Sequence, residues 1–277
     1  MIKRLLVPTD GSALGAVGVR YAVAMAKKCG ASILGLHVID VKLLEGPFLR
    51  DLSASLGTAP YVNYQGNIAM LLDERGKAAL NDLAKRCEET GVPCDSMQVT
   101  GIVPRAIVEN ADLTDLVVMA RGGEHDEWLE GLVGSTTEAV VRRARRPVLI
   151  TATEEVGADR FLVAYDGSQH ARQALRFAAS FAGDSAVPLE LLVIGGERSD
   201  AVVAEAREYL QSYTDLQVEY HRREGEPGEV IVHCAEAFGA NLLVMGAYGH
   251  SKVRELVVGS TTAYAMYHAP CPVLLTR

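Results

Sequence analysis

The sequence predicts an α/β protein made of two tandem, doubly wound parallel sheets of five strands each, with helices on both faces. Two observations carry this. First, the chain of 277 residues repeats itself. Arg4–Ala26 ("RLLVPTDGSALGAVGVRYAVAMA") is matched by Arg160–Ala182 ("RFLVAYDGSQHARQALRFAASFA"), and Asp115–Gly123 by Asn241–Gly249. "GSTTEAVVRRARRPVLIT" is matched by "GSTTAYAMYHAPCPVLLT" without a gap. Three matched blocks in one order are a tandem duplication. Second, within each copy short branched apolar runs alternate with helical periodicity, the pattern of a parallel sheet covered on both faces.

Taken in order, "IKRLLV" is a buried strand by its branched apolar run. "SALGAVGVRYAVAMAKKCG" follows at helical spacing and stops on Lys27, Lys28 and Gly30, the charges and glycine expected at a helix end. "ASILGLHVID" is the second strand. Val41–Gln65 has no clean period and reads as an insertion, and Gly66 to about Thr90 is a long amphipathic helix. "PCDSMQVT" is the third strand, "PRAIVENA" a short helix, and "DLVVMA" and "PVLIT" the last two strands. The second copy supplies strands at "VPLELLVIG", "LQVEYHRR", "LLVMG" and "CPVLLTR", with helices over "AVVAEAREYLQSY" and "GEVIVHCAEAFG". Residues 152–159 link the copies, which places the first domain at 1–152 and the second at 159–277.

Composition narrows the function. A formal charge of −8 argues against a nucleic-acid surface but leaves room for an anion site made of backbone N–H groups. No run of about 18 apolar residues offers a membrane span. The opening "MIKRLLVPTDGS" meets a proline and an aspartate too early for a secretory signal. Five cysteines without a C-x-x-C pair read as structural thiols of a reducing cytoplasm. No H-x-x-x-H or H-E-x-x-H occurs around His221, His233 or the other histidines, so no metal site is expected. The arginines of "RRARRP" (Arg142–Pro147) complement a helix dipole, with a phosphorylated ligand or partner as their other use.

In open parallel sheets ligands bind where strands end and loops leave for helices. Three repeated features fall there. Asp10-Gly11-Ser12 and Asp166-Gly167-Ser168 follow the first strand of each copy, a glycine loop follows the fourth, and Gly-Ser-Thr-Thr opens the last helix. Copy two spells Gly246, two residues, Gly249, nine residues, Gly259-Ser260. These glycines leave a backbone-lined cradle at a helix N-terminus, where unpaired N–H groups favour an anion and Ser260 and Thr261 (Ser135 and Thr136 in copy one) add hydroxyls. The competing reading makes these hydroxyls helix caps. Ser12 and Ser168 read as caps rather than nucleophiles, because no histidine matches them in both copies. His250 and Lys252 lie in the copy-two loop, within reach of a phosphate or simply in solvent.

These motifs resemble the ATP-binding branch of the universal stress protein family, which carries G-2x-G-9x-G-[ST], and the resemblance covers both copies. It implies an adenine-nucleotide alpha hydrolase-like fold. It also implies adenosine held by the aspartate after strand one and a residue after strand two, and phosphates, often with a divalent ion such as Mg2+, held by the glycine loop and Gly-Ser. Carried over, these are Asp166, Gly246, Gly249, Gly259, Ser260 and Thr261 in copy two. In copy one they are Asp10, Val38, Gly123, Gly134, Ser135 and Thr136. Copy one departs from the pattern: Ala120 replaces the first glycine, ten residues separate Gly123 from Gly134, and Glu124, Asp126, Glu127 and Glu130 oppose a triphosphate beside Trp128. Copy two lacks "HVID" at its second strand.

The resemblance implies a cytoplasmic stress-response protein that binds ATP or a related adenine nucleotide and acts as a regulatory module. Any hydrolysis should be slow, since no residue pair is arranged to activate water. The alternatives are a scaffold of the same fold that binds no nucleotide and, less supported, a nucleotide hydrolase. In the family the last strands pair across a dimer. Here they are expected to pair within the chain as a pseudo-dimer, which can pair again as a homodimer.

Overall fold

The two predicted sheets are one. In the computed structural model, which describes residues 2–45, 61–123, 133–152, 159–185, 187–196, 199–249 and 258–277, ten strands hydrogen-bond in the order β3-β2-β1-β4-β5-β10-β9-β6-β7-β8. The first copy contributes β1 (Arg4–Pro8), α1 (Ala13–Cys29), β2 (Ser32–Asp40), α2 (Val41–Glu45), α3 (Tyr61–Thr90), β3 (Cys94–Gly101), α4 (Val103–Ala111), β4 (Leu116–Met119), α5 (Ser135–Val141) and β5 (Val148–Ile150). The second contributes β6 (Phe161–Ala164), α6 (Gln169–Ser185), β7 (Leu189–Ile194), α7 (Ser199–Leu210), β8 (Val218–Arg223), α8 (Pro227–Ala237), β9 (Leu242–Gly246), α9 (Ser260–His268) and β10 (Val273–Thr276).

Neighbours are parallel within each copy. At the seam β5 and β10 run antiparallel, with Val148 opposite Leu275, Leu149 opposite Leu274 and Ile150 opposite Val273. All six side chains are buried, so neither strand offers an apolar edge to solvent. The intrachain pairing expected from the sequence is therefore present, and it joins the two five-stranded sheets.

Alternation along the strands divides the core into two layers. Leu5, Leu116, Leu149, Phe161 and Leu274 meet α1, α3, α6 and α7 on one face. Leu6, Val117, Ile150, Leu243 and Val273 meet α4, α5, α8 and α9 on the other. Both layers run across the seam without a break. The expected stop of α1 is a left-handed Gly30 (φ 62), whose N–H bonds the carbonyls of Ala26 and Lys27. Two expectations are corrected. Val41–Glu45 forms a short helix inside the presumed insertion, and α3 begins at Tyr61, so Gly66 lies inside it. A glycine costs about 1 kcal/mol there, which the buried Ala79, Leu80, Leu83 and Cys87 farther along offset. The rest of the insertion, residues 46–60, lies outside the described residues, as do residues 153–158 of the linker.

The two copies also bond to each other through residues that follow the fourth strands and the last helices. Arg121 donates to the carbonyls of Tyr267 (3.5 Å) and Ala269 (2.9 Å), and the Tyr267 hydroxyl bonds Glu138 on α5. Arg277 donates to the Arg142 carbonyl at 2.9 Å. The cysteines are free thiols, and burial pushes Cys87 up to about 12 and Cys271 to about 11.

Leu149→Ala should destabilise the whole chain by ~2–5 kcal/mol, seen as a lower urea midpoint of a single transition. Two resolved transitions would show that the halves fold independently of the seam.

Candidate functional site

Each copy builds the same turn after its first strand. Gly11 and Gly167 adopt φ of +77 and +76, a left-handed conformation that favours glycine. The preceding carboxylate closes the turn: Ser12 N–H donates to Asp10 Oδ1 at 3.0 Å and Ser168 N–H to Asp166 Oδ1 at 2.9 Å. Ser12 Oγ then accepts from Gly15 N–H (3.0 Å) and Ser168 Oγ from Ala171 N–H (3.2 Å). These two serines are caps, as their positions predicted.

Gly-Ser-Thr-Thr behaves otherwise. The N-caps of α5 and α9 are Gly134 and Gly259, and neither helix start has a side-chain cap. The cap reading of these hydroxyls therefore fails. The last threonine of each repeat is structural. Thr262 Oγ1 donates to the carbonyls of Gly246 (3.2 Å) and Ala247 (3.1 Å), and Thr137 Oγ1 to that of Ala120 (3.1 Å). Both are 3% exposed and pin the helix start to the end of the fourth strand.

The glycines also separate by role. A Cβ at Gly246 would lie 2.9 Å from Ala171 N and His170 Cβ, so this glycine lets β9 end against the start of α6. A Cβ at Gly249 would stand 3.3 Å from Asp166 Oδ2. Gly259 is different: its φ is −58, and among the described residues an added Cβ would have nothing nearer than Thr262 Oγ1 at 3.7 Å. Neither its φ nor packing against the described residues requires glycine there.

In copy two Asp166, Gly246, Gly249, Gly259, Ser260 and Thr261 all line one cavity of ≈ 200 Å³. In copy one Asp10, Val38, Gly123 and Thr136 line a cavity of ≈ 150 Å³, with Ala120 at the substituted glycine position. Gly134 and Ser135 stand at the start of α5 but not among that lining. A Cβ on Gly123 would come 2.7 Å from Asp10 Oδ2. The acidic cluster of copy one with Trp128, and His250 and Lys252 of copy two, lie outside the described residues.

The chain matches the model of the universal stress protein family twice, over residues 1–152 and 157–277. It belongs to that family. It is 28% identical over 290 aligned positions to a universal stress protein of Synechocystis sp., covering 100% of both chains. It is 32% identical to one from Methanocaldococcus jannaschii over 54% of this chain and 82% of that one. The crystal structure of a universal stress protein from Archaeoglobus fulgidus has the same fold, with a TM-score of 0.79, 22% identity, and 99% and 98% of the two chains covered.

This universal stress protein adds to the copy-two site residues that its local sequence does not announce. Pro227 and Ile231 of α8 and Leu192 and Ile194 of β7 form the apolar wall, brought there by strand order rather than by spacing. Tyr165, next to Asp166, is held by its hydroxyl on Glu205 of α7. Arg172 grips the same carboxylate with Nε at 2.7 Å and Nη2 at 3.0 Å. The Arg172 guanidinium, with help from Tyr165, holds the Glu205 carboxyl at about 2, against an ordinary 4.5. Burial, with Glu205 beside it, pushes the Tyr165 hydroxyl up. β7 and β8 also gather Glu190, Glu219 and His221, donors of metal-binding type within 4.8 Å of one another. The 2.6 Å His221 Nε2–Glu190 Oε2 pair accounts for that arrangement without an ion, and no spacing motif could have shown it.

A depressed carboxyl pKa stabilises the fold above its unfolded value and loses that effect as pH falls through the folded one. The stability difference between the wild type and Glu205→Gln should be complete above pH 4.5 and shrink between 4.5 and about 2. Urea titrations at several pH values measure it. A difference constant across that window rules out the Arg172–Glu205 pair as its source.

Proposed function

We propose that the chain binds an adenine nucleotide, ATP in the first instance, in the copy-two cavity and acts as a regulatory module rather than a fast enzyme. The observation that carries this is Gly259. It is a glycine with an ordinary φ, with no described atom nearer than 3.7 Å to an added Cβ, standing at a helix start without a side-chain cap. A glycine at such a position supports close approach of a ligand to the backbone. The N–H groups of the first turn of α9 and the hydroxyls of Ser260 and Thr261 would meet the phosphates. Asp166 would take the ribose, and Leu192, Ile194 and Ile231 would take the adenine. Magnesium would arrive with the phosphates; its bound form neutralises charge that the chain supplies with no described lysine or arginine in this lining.

Among the described lining residues Asp166 is the single carboxylate, and no histidine or lysine accompanies it. Among the described lining residues no second base stands beside Asp166, which favours binding over turnover. In copy one Ala120 at the first glycine position and the absence of Gly134 and Ser135 from the cavity lining make a weaker site. The reading extends to a cytoplasmic protein and to further pairing of the pseudo-dimer as a homodimer.

Nucleotide chromatography of the denatured protein, with ATP–Mg2+ titration by calorimetry, tests it. One adenine nucleotide per chain is expected. Gly259→Asp should weaken binding by more than ~10-fold by placing a carboxylate against the phosphates, with thermal stability nearly unchanged because the site has room. Gly134→Asp should alter binding little. A chain that carries no nucleotide and takes up none returns the function to a scaffold of the same fold.

A further inference from the structure

A third cavity, larger than either strand-end site, measures ≈ 620 Å³ and opens between α1 and α6, at the junction of the two copies. Ile2, Asp115 and Pro147, which precede β1, β4 and β5, place it at the starting ends of the copy-one strands. The antiparallel seam sets those starts beside the end of β10. Junctions of this kind and volumes of ~300–1,000 Å³ are typical of small-molecule sites.

We propose that this cleft binds a small amphipathic anion: an aromatic or alkyl body carrying a carboxylate, sulfonate or phosphate. Its lining provides both halves of that chemistry. Phe177 and Phe181 present rings 6.1 Å apart on α6, with Pro147 and Ile2 beside them. Lys28, Arg145 and Arg176 supply positive charge in a chain whose net charge is −8. The carboxylate in the lining, Asp115, already accepts the backbone N–H groups of Lys3 (2.8 Å) and Arg4 (3.0 Å). Arg145 makes no hydrogen bond or ion pair with the described residues. Arg176 rests on the Tyr209 ring at 6.0 Å. Arg277 turns its guanidinium away, to the Arg142 carbonyl and the Tyr248 ring, and is not counted.

The duplication supplies an internal control. The copy-two positions matching Lys28 and Arg145 are Asp184 and Pro270, and those matching Phe177 and Phe181 are Tyr21 and Met25 in copy one. The basic, doubly aromatic lining therefore belongs to one of the two pseudo-equivalent junctions. It also gives a use to Arg145 of the "RRARRP" stretch, which the nucleotide reading leaves aside. The proposal does not rest on that reading, because this cleft lies at strand starts and the nucleotide cavities lie at strand ends.

The test is a fluorescence titration of the full chain with anilinonaphthalene sulfonate, an aromatic anion. Saturable binding of one probe per chain is expected, unaffected by ATP–Mg2+. Arg145→Glu and Arg176→Glu should each weaken it by roughly tenfold, as loss of a charge-assisted contact predicts. Both side chains are exposed, and unchanged melting curves would show that these variants stay folded. Ser180→Trp should block the cleft. Displacement by decanoate would assign the site to alkyl carboxylates, and displacement by naphthyl phosphate to aromatic phosphates. The proposal is overturned by absent or unsaturable binding, by wild-type affinity in both arginine variants, by displacement with ATP, or by failure of both competitors.

Discussion

Everything else in this molecule depends on the antiparallel pairing of β5 with β10. Each copy ends on a short strand that is apolar on both faces, three residues in β5 and four in β10. Left at an edge, such a strand exposes a row of unpaired N–H and C=O groups beside its apolar side chains. Pairing the two removes both edges at once and lets each core layer continue across the join. The exposed edges of the resulting sheet are then β3 and β8, strands whose side chains are largely half-buried or exposed. The duplication thus keeps its polar strands outside and its apolar ones at the seam.

The same pairing fixes where binding surfaces can lie. Antiparallel strands place the starting ends of one parallel sheet beside the finishing ends of the other. Each copy keeps its own strand-end cavity, and the junction gains a cleft that neither copy possesses alone. The seam also lets the copies diverge. Arg121 and Glu138 of copy one reach across to hold α9, while the matching positions in copy two are Ala247 and Ala263. Copy two answers with Tyr248, whose hydroxyl donates to the Arg142 carbonyl at 3.4 Å, so both strand-end loops take part in the seam.

Much of this was legible in the sequence because it is local. The duplicated blocks, the strand–helix alternation, the Asp-Gly-Ser turns and the Ser12 and Ser168 caps each follow from neighbours within a few residues. What escaped depends on strand order. Glu205 lies forty residues from Tyr165 in the chain and meets it only because α7 packs beside β6 and β7. Glu190 meets His221 only through the β7–β8 register. Gly66 misled for a different reason: a poor helix former reads as a boundary, yet packing farther along α3 carries the helix through it. Ser260 misled because a serine at a helix start is ordinarily a cap, and here the cap position falls one residue earlier, on glycine.

That one-residue offset is what gives the repeated Gly-Ser-Thr-Thr its meaning. Had the serine been the cap, its oxygen would have accepted one of the first-turn N–H groups, as Ser12 and Ser168 do. With glycine there, those donors have no side-chain partner from the cap, while the final threonine, turned inward, anchors the turn to the strand end. The tetrapeptide therefore divides its work between an open start and a buried pin. The Cβ of a capping side chain at Gly259 would meet no described atom nearer than 3.7 Å, and exchanging the glycine cap for one would change helix stability by only about a few tenths of a kcal/mol. In both copies the cap is therefore a glycine, a choice that costs the helix little and leaves its first turn without a side chain over it.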